Sequence, residues 1–194
     1  MITGLPTSNH DHAVNGMFFD NAGDLFISMG GNTNAGVEVC NFGGIDESPL
    51  SGALLKAETS KGGSFNGTIA YATCGQPFGC AGPGTPGTVA DQVDGATHGV
   101  VTGVDVSVWA SGFRNSYDAW YTTDERVYNL DNGPDVNLGP ASTGPTTDGG
   151  DPHPAEADEL NHVVEGGYYG HPNRNRARAA GESEQNVYHG SSES

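Results

Sequence analysis

Apolar residues in this chain come in short runs cut by glycine, proline and polar turns. Leu54-Leu55, Thr68 to Tyr71, Val104 to Trp109 and Arg126 to Leu130 are examples. No stretch sustains the i, i+3, i+4, i+7 spacing of an amphipathic helix, so the pattern predicts strands and few helices. Two stretches also match each other. Met17 to Gly31 lines up without a gap on Ala119 to Gly133, an offset of 102 residues (17 to 119). Each copy reads as an apolar strand, a polar turn (Asp20 to Gly23; Thr122 to Glu125), a second apolar strand and a glycine. That is the signature of a β-hairpin, so antiparallel hairpins are expected in residues 12–36 and 114–136.

A propeller blade takes roughly 40–50 residues, so this offset predicts two blades with one other between them. Equivalent loops of different blades converge at one end of the central channel. His12 and Arg114 are also 102 residues apart, each five before its first strand. The repeat therefore predicts that both open onto one pocket, with the Gly133-Pro134 turn beside them. At the same blade length the chain supplies about three to four blades. The expected fold is all-β, a partial propeller over residues 1–178, followed by a polar, disordered tail at 179–194. A propeller closes its ring to hide its edge strands, so another chain or a further part of the protein is expected to complete it, or its edges to be covered in some other way. Within residues 37–100 the pattern predicts a strand pair around Leu54-Leu55 and Thr68 to Tyr71, then a surface loop from Cys74 to Gly99. Residues 134–157 read as an insertion, and Glu159 to Val164 as a strand leading to a turn at Gly166 to Pro172.

Composition sharpens this picture in a few places. Thirty-one glycines and 11 prolines agree with many turns. The net charge of −17, from 7 Lys and Arg against 24 Asp and Glu, argues against nucleic acid and anionic membranes as partners, because phosphate binding relies on Lys and Arg. No apolar stretch approaches the ~20 residues of a membrane span. The first residues, Met1-Ile2-Thr3-Gly4, carry neither the basic nor the hydrophobic region of a signal peptide. Cys74 and Cys80 flank a short loop that a disulfide could close, which leaves Cys40 odd; no CxxC pair exists. His10 and His12 form an HxH pair, but zinc needs a third and usually a fourth ligand, and only His98 is loosely placed for that. Asn66-Gly67-Thr68 is both a glycosylation sequon and a hairpin-turn signal.

Six motifs occur in a fixed order: Leu5-Pro6-Thr7-Ser8 leading to Asp11-His12; Ser64-Phe65-Asn66-Gly67; Ala110-Ser111-Gly112-Phe113-Arg114-Asn115; Asp131-Asn132-Gly133-Pro134; Asp158-Glu159-Leu160-Asn161; and Gly166-Gly167-Tyr168-Tyr169-Gly170-His171-Pro172. Together they resemble the glucose/sorbosone dehydrogenase family, soluble quinoprotein sugar dehydrogenases built on a six-bladed propeller. The resemblance spans residues 5 to about 178. It implies an oxidoreductase that moves a hydride from the anomeric carbon of an aldose to pyrroloquinoline quinone (PQQ). In the matching positions Asp11-His12 supplies the general base, His12. Arg114 lies against the quinone carbonyls, and Asn115 and Asn132 belong with it to the cofactor site. The carbonyls of Gly133 and Pro134 hold the calcium that grips the cofactor. Asp158, Glu159 and Tyr169 form a second, structural calcium site. The resemblance further implies a small sugar substrate and an extracellular or periplasmic location.

The chemistry is coherent, since imidazole titrates near neutrality and accepts a hydroxyl proton. A guanidinium stabilises the charge that arrives with a hydride, and calcium prefers carboxylates mixed with backbone carbonyls. Three departures stand out. Phe113 replaces the family's histidine, so Phe113→His is expected to be tolerated or helpful. His171 replaces a tryptophan. The family's further cofactor-binding lysine and arginine come from later blades and have no match in residues 1–194. An alternative function therefore stays open: a non-catalytic extracellular propeller that uses the same scaffold for carbohydrate or protein binding, or for assembly.

Overall fold

The computed structural model describes residues 1–8, 12–36, 47–73, 79–82, 85–87, 98–100, 103–135 and 157–171, with the backbone alone between 71 and 100. In chain order the strands are β1 (Val14–Phe19), β2 (Leu25–Met29), β3 (Ala53–Ala57), β4 (Tyr71–Thr73), β5 (Gly79–Gly82), β6 (Thr85–Gly87), β7 (His98–Val100), β8 (Val106–Ser111), β9 (Ser116–Tyr121), β10 (Val127–Asp131) and β11 (Glu159–Val163). A 3-10 turn at Thr59–Ser64 is the helical element among the described residues. The described residues form an all-β fold.

Two antiparallel sheets carry the structure. The first runs β1-β2-β3-β8 and the second β9-β10-β11, with β10 in its middle. The repeat is reproduced to the residue, since β1 and β9 start at 14 and 116 and β2 and β10 start at 25 and 127. The turns match as well. Asp20 N donates to Asp24 O and Gly23 N to Asp20 O, while Thr122 N donates to Arg126 O and Glu125 N to Thr122 O. Gly23 (φ 87°) and Glu125 (φ 63°) hold the same left-handed position, as a tight hairpin closed by a type I turn and a bulge requires. Even the ring stacks repeat. Phe18 stacks on Phe26 at 4.9 Å, and Trp120 on Tyr128 at 5.9 Å.

Alternation along the strands sorts the core. Ile27, Met29, Leu55, Ala57 and Val106 face one side of the first sheet, where Leu50, Ile69 and the half-buried Ile2, Leu5 and Phe65 cover them. Phe26, Leu54, Ala110 and Phe113 face the other side and meet Ala119, Val127 and Val163 of the second sheet. The two sheets thus share one apolar layer.

The expectation of one intervening blade is overturned. β1 lies directly against β9: Asn15 Nδ2 donates to Asn115 Oδ1 (3.0 Å) and to the Ser116 carbonyl (2.9 Å). A Cβ on Gly16 would fall 2.9 Å from Asp118 Cα. The residues between the repeats are spent inside the first sheet, because β8 returns to it only after a long excursion from the end of β3. Sequence spacing counts residues, not sheets.

The expected pairing of Leu54-Leu55 with Thr68 to Tyr71 is also corrected. β3 pairs with β2 and β8, whereas Thr68 forms a parallel bridge with Thr3. Inside the excursion, β4 pairs with β7 and β5 with β6 as short ribbons where a loop was expected. The insertion at 136–156, the tail from 172 onward, Cys40 and Cys74 lie outside the described residues.

Candidate functional site

The strand directions put one set of chain segments at the same end of both sheets. There β1 and β9 begin, β2 and β10 end, β3 and β11 begin and β8 ends. The connections leaving these strand ends are rich in Gly, Asn, Thr and Ser, short side chains that can hydrogen-bond the backbone locally. The result is a buried polar cluster in which His12, Asn32, Thr33, Asn34, Glu47, Ser51, Arg114, Asp131 and His171 are all largely withdrawn from solvent.

Gly31 is its pivot. Its N–H donates to the Arg114 carbonyl at 2.6 Å, and its carbonyl sits 3.0 Å from His12 Nδ1. A carbonyl only accepts, so Nδ1 donates this bond and fixes the orientation of the ring. A Cβ on Gly31 would stand 2.8 Å from Glu47 Oε1 and 2.9 Å from both the Arg114 carbonyl and His171 Nε2. Only glycine fits there. His12 and Arg114, 102 residues apart in sequence, therefore meet across a single residue.

Arg114 is enclosed on every side. Its Nε and Nη2 donate to Asn34 Oδ1 (3.2 and 2.8 Å), its Nη1 to the Gly133 carbonyl (2.9 Å), and its Nη2 to Asp135 Oδ2 (3.0 Å). Asn34 closes the loop by donating to the Asp135 carbonyl and accepting from its N–H. Behind the guanidinium, Asp131 accepts from the backbone N–H groups of Arg114 (3.0 Å) and Asn115 (2.8 Å). Burial pushes the Asp131 carboxyl up to about 6, against the pull of those two N–H groups, and Glu159 adds to the rise.

Glu47 anchors the other flank, which the sequence reading missed. It is fully buried and accepts from the N–H of Asn32 (2.9 Å) and of Thr33 (3.0 Å), from Thr33 Oγ1 (2.6 Å), from Ser51 Oγ, and from His171 Nε2 (2.7 Å). Burial alone would raise this carboxyl, but His171 and the Ser51 and Thr33 hydroxyls bring it down to about 2. The available signal was His171 itself, since an imidazole withdrawn from solvent asks for a polar partner.

The remaining expected residues are placed as follows. Asp11 lies outside the described residues. Asn132 N–H donates to the Asn115 carbonyl, Gly133 N–H donates to Asp158 Oδ1 at 3.0 Å, and Glu159 accepts from Asn161 Nδ2 at 3.2 Å. Pro134 continues the same turn between Gly133 and Asp135. The Tyr169 hydroxyl is elsewhere, donating to the His162 carbonyl (3.0 Å) and accepting from Val164 N–H (2.9 Å). That is the far end of β11 from Asp158 and Glu159, some four residues or about 13 Å along a strand. Among the described residues no group of three or more His, Cys, Asp or Glu side chains is arranged to hold a metal ion.

These contacts bear on the implied cofactors. A carbonyl that accepts from a guanidinium already has a positive charge 2.9 Å away, where a calcium ion would be repelled. A quinone carbonyl would have to compete with Asn34, Gly133 and Asp135 for Arg114. In this arrangement the residues present fit neither group in the roles the resemblance implies, unless Arg114 and Gly133 part. Phe113 brings a further correction. Its ring is fully buried in the apolar layer and stacks on Tyr169 at 4.9 Å, so a histidine there would bury a polar ring among hydrophobic neighbours.

No family model matches the chain, and no curated protein or solved structure matches it either.

Proposed function

We propose that the polar end of the two sheets belongs to an oxidoreductase of the sugar-dehydrogenase type, with His12 as its general base and the sheets as neighbouring blades of a propeller. The observation that carries this reading is the hydrogen bond from His12 Nδ1 to the Gly31 carbonyl. Oxidising an aldose at its anomeric carbon removes a hydroxyl proton and a hydride. An imidazole whose orientation is fixed through Nδ1 is a side chain suited to taking such a proton. The hydride needs an acceptor, and Arg114, bonded to Asn34, Gly133 and Asp135, is not placed to hold one. An extracellular or periplasmic setting belongs to the same reading.

One observation favours the non-catalytic scaffold instead. The Arg114 guanidinium is engaged by Asn34, Gly133 and Asp135, so it serves as an internal strut between the sheets' connections. The two readings separate in one assay: dye-coupled oxidation of a panel of aldoses by the protein supplied with PQQ and calcium. The enzyme reading expects turnover that falls about 10²–10⁴-fold in His12→Ala, the usual cost of losing a positioned base. Absence of both quinone binding and turnover in the wild type decides for the scaffold.

A further inference from the structure

At the opposite end from His12, residues of both sheets line a cleft of about 350 Å³. The six residues of β1 separate the two ends by about 20 Å. Aromatic rings from three strands line it: Phe26, Trp109 and Tyr121. Phe26 and Tyr121 both lie nearly parallel to Phe18 (9° and 8°), while Trp109 stands edge-on to Phe26 at 84°. Two walls of the cleft are thus aromatic and nearly perpendicular.

The rim is charged, and its cations are already neutralised. Lys56 Nζ is 3.1 Å from Asp24 and 3.8 Å from Asp20, and Arg126 Nε is 2.9 Å from Asp124. Glu125 and Glu165 add two carboxylates at the same mouth, so the local balance is acidic. Lys56 Nζ itself lies over the Phe26 ring, 5.6 Å from its centroid.

We infer that this cleft binds a small quaternary ammonium compound, its methylated nitrogen against the Trp109 and Tyr121 rings and its charge balanced by Glu125 and Glu165. Ring faces attract cations, and tryptophan does so most strongly. A primary ammonium would keep its water or demand converging hydrogen-bond acceptors, whereas a tetraalkylated nitrogen is weakly hydrated and asks only for faces and diffuse negative charge. The site is independent of the oxidoreductase reading, because its residues are not those at the His12 end.

The probe is choline, set against 3,3-dimethylbutan-1-ol, its neutral isostere. Trp109 fluorescence would be followed in a Trp120→Phe background, since the chain has two tryptophans. Choline should change the emission saturably and the neutral isostere should not, with binding weakened by added salt. Trp109→Ala, followed by calorimetry, should weaken choline binding about tenfold or more. Glu165→Gln, at an exposed position that leaves the fold intact, should weaken it about threefold. His12→Ala should leave it unchanged. Equal responses to choline and its isostere, no response to either, or full affinity in Glu165→Gln would overturn the assignment.

Discussion

Asp131 and Glu47 show how one buried cluster moves two carboxyls in opposite directions. Burial raises Asp131 to about 6 because two backbone N–H groups are too few to offset desolvation and the nearby Glu159. Glu47 is buried more deeply, yet His171, Ser51 and Thr33 bring it down to about 2. The linkage signs therefore differ. Asp131 binds its proton more tightly folded than unfolded, so its contribution is full below the ordinary value of 3.8 and is lost as pH rises through about 6. Glu47 contributes fully above its ordinary 4.5, and that stability is lost as pH falls towards about 2. Denaturant titrations at several pH values should show Asp131 adding on the order of 2 kcal/mol as pH falls from near 7 towards 4, a gain that Glu47 partly offsets in wild type. Asp131→Asn should lack that gain, while both proteins weaken on further acidification. A second residue-scale expectation concerns the paired turns. Gly23→Ala meets no steric contact but places a Cβ on a left-handed residue, at a cost of about 1 kcal/mol. Glu125→Gly relieves the same strain at the equivalent position, so the two variants should shift the melting midpoint in opposite directions.

At the scale of elements, one hydroxyl joins the backbone hydrogen bonds that hold the turn after β11. Tyr169 spans His162 and Val164 while its ring packs on Phe113. Tyr169→Phe keeps the stack and loses both hydrogen bonds, so about 1–2 kcal/mol of stability should go. The loss should be the same with calcium or with chelator, since this hydroxyl is tied to backbone at the end of β11 remote from Asp158 and Glu159. Phe113→His should cost more, about 3 kcal/mol, by leaving a polar ring unpaired in the shared apolar layer. Gly31→Ala should be destabilising by about 1–3 kcal/mol, the usual cost of overpacking. It should also slow any activity that depends on His12, because the methyl group would force apart the Gly31 contacts that hold His12 and Arg114. Melting curves and the aldose assay on the same three variants check all of this together.

At the scale of the whole molecule, the packing of the two sheets decides which copy of the repeat is covered. The Phe18–Phe26 stack is buried between the sheets, where Phe18 also stacks on Tyr121 at 6.1 Å. Its image 102 residues later, Trp120–Tyr128, lies on the outer side of the second sheet with Trp120, Leu130 and Leu160 substantially exposed. The same sequence pattern thus yields a core contact in one copy and a solvent-facing one in the other. Among the described residues no helix is long and apolar enough to cross a membrane.

Local chemistry determined the hairpins. Alternating apolar residues around a four-residue polar turn set strand, turn and register within some fifteen residues, and that information is local, which is why β1–β2 and β9–β10 were legible to within a few residues. The shared end of His12 and Arg114 was legible because an ungapped repeat copies local geometry, and β11 was legible from its own short run before a glycine turn. Tertiary structure alone decided the rest. Whether β3 pairs with β2 or with the segment around Thr68 depends on which edge lies close after the chain turns, and no local pattern encodes that. The adjacency of β1 and β9 depends on where the residues of the long excursion go. Above all, only packing decides what a polar side chain meets. The sequence marked Arg114 and Gly133 as two separate parts of a site, whereas the fold binds one to the other and sets Glu47, silent in the sequence, against His171 at the centre of the cluster.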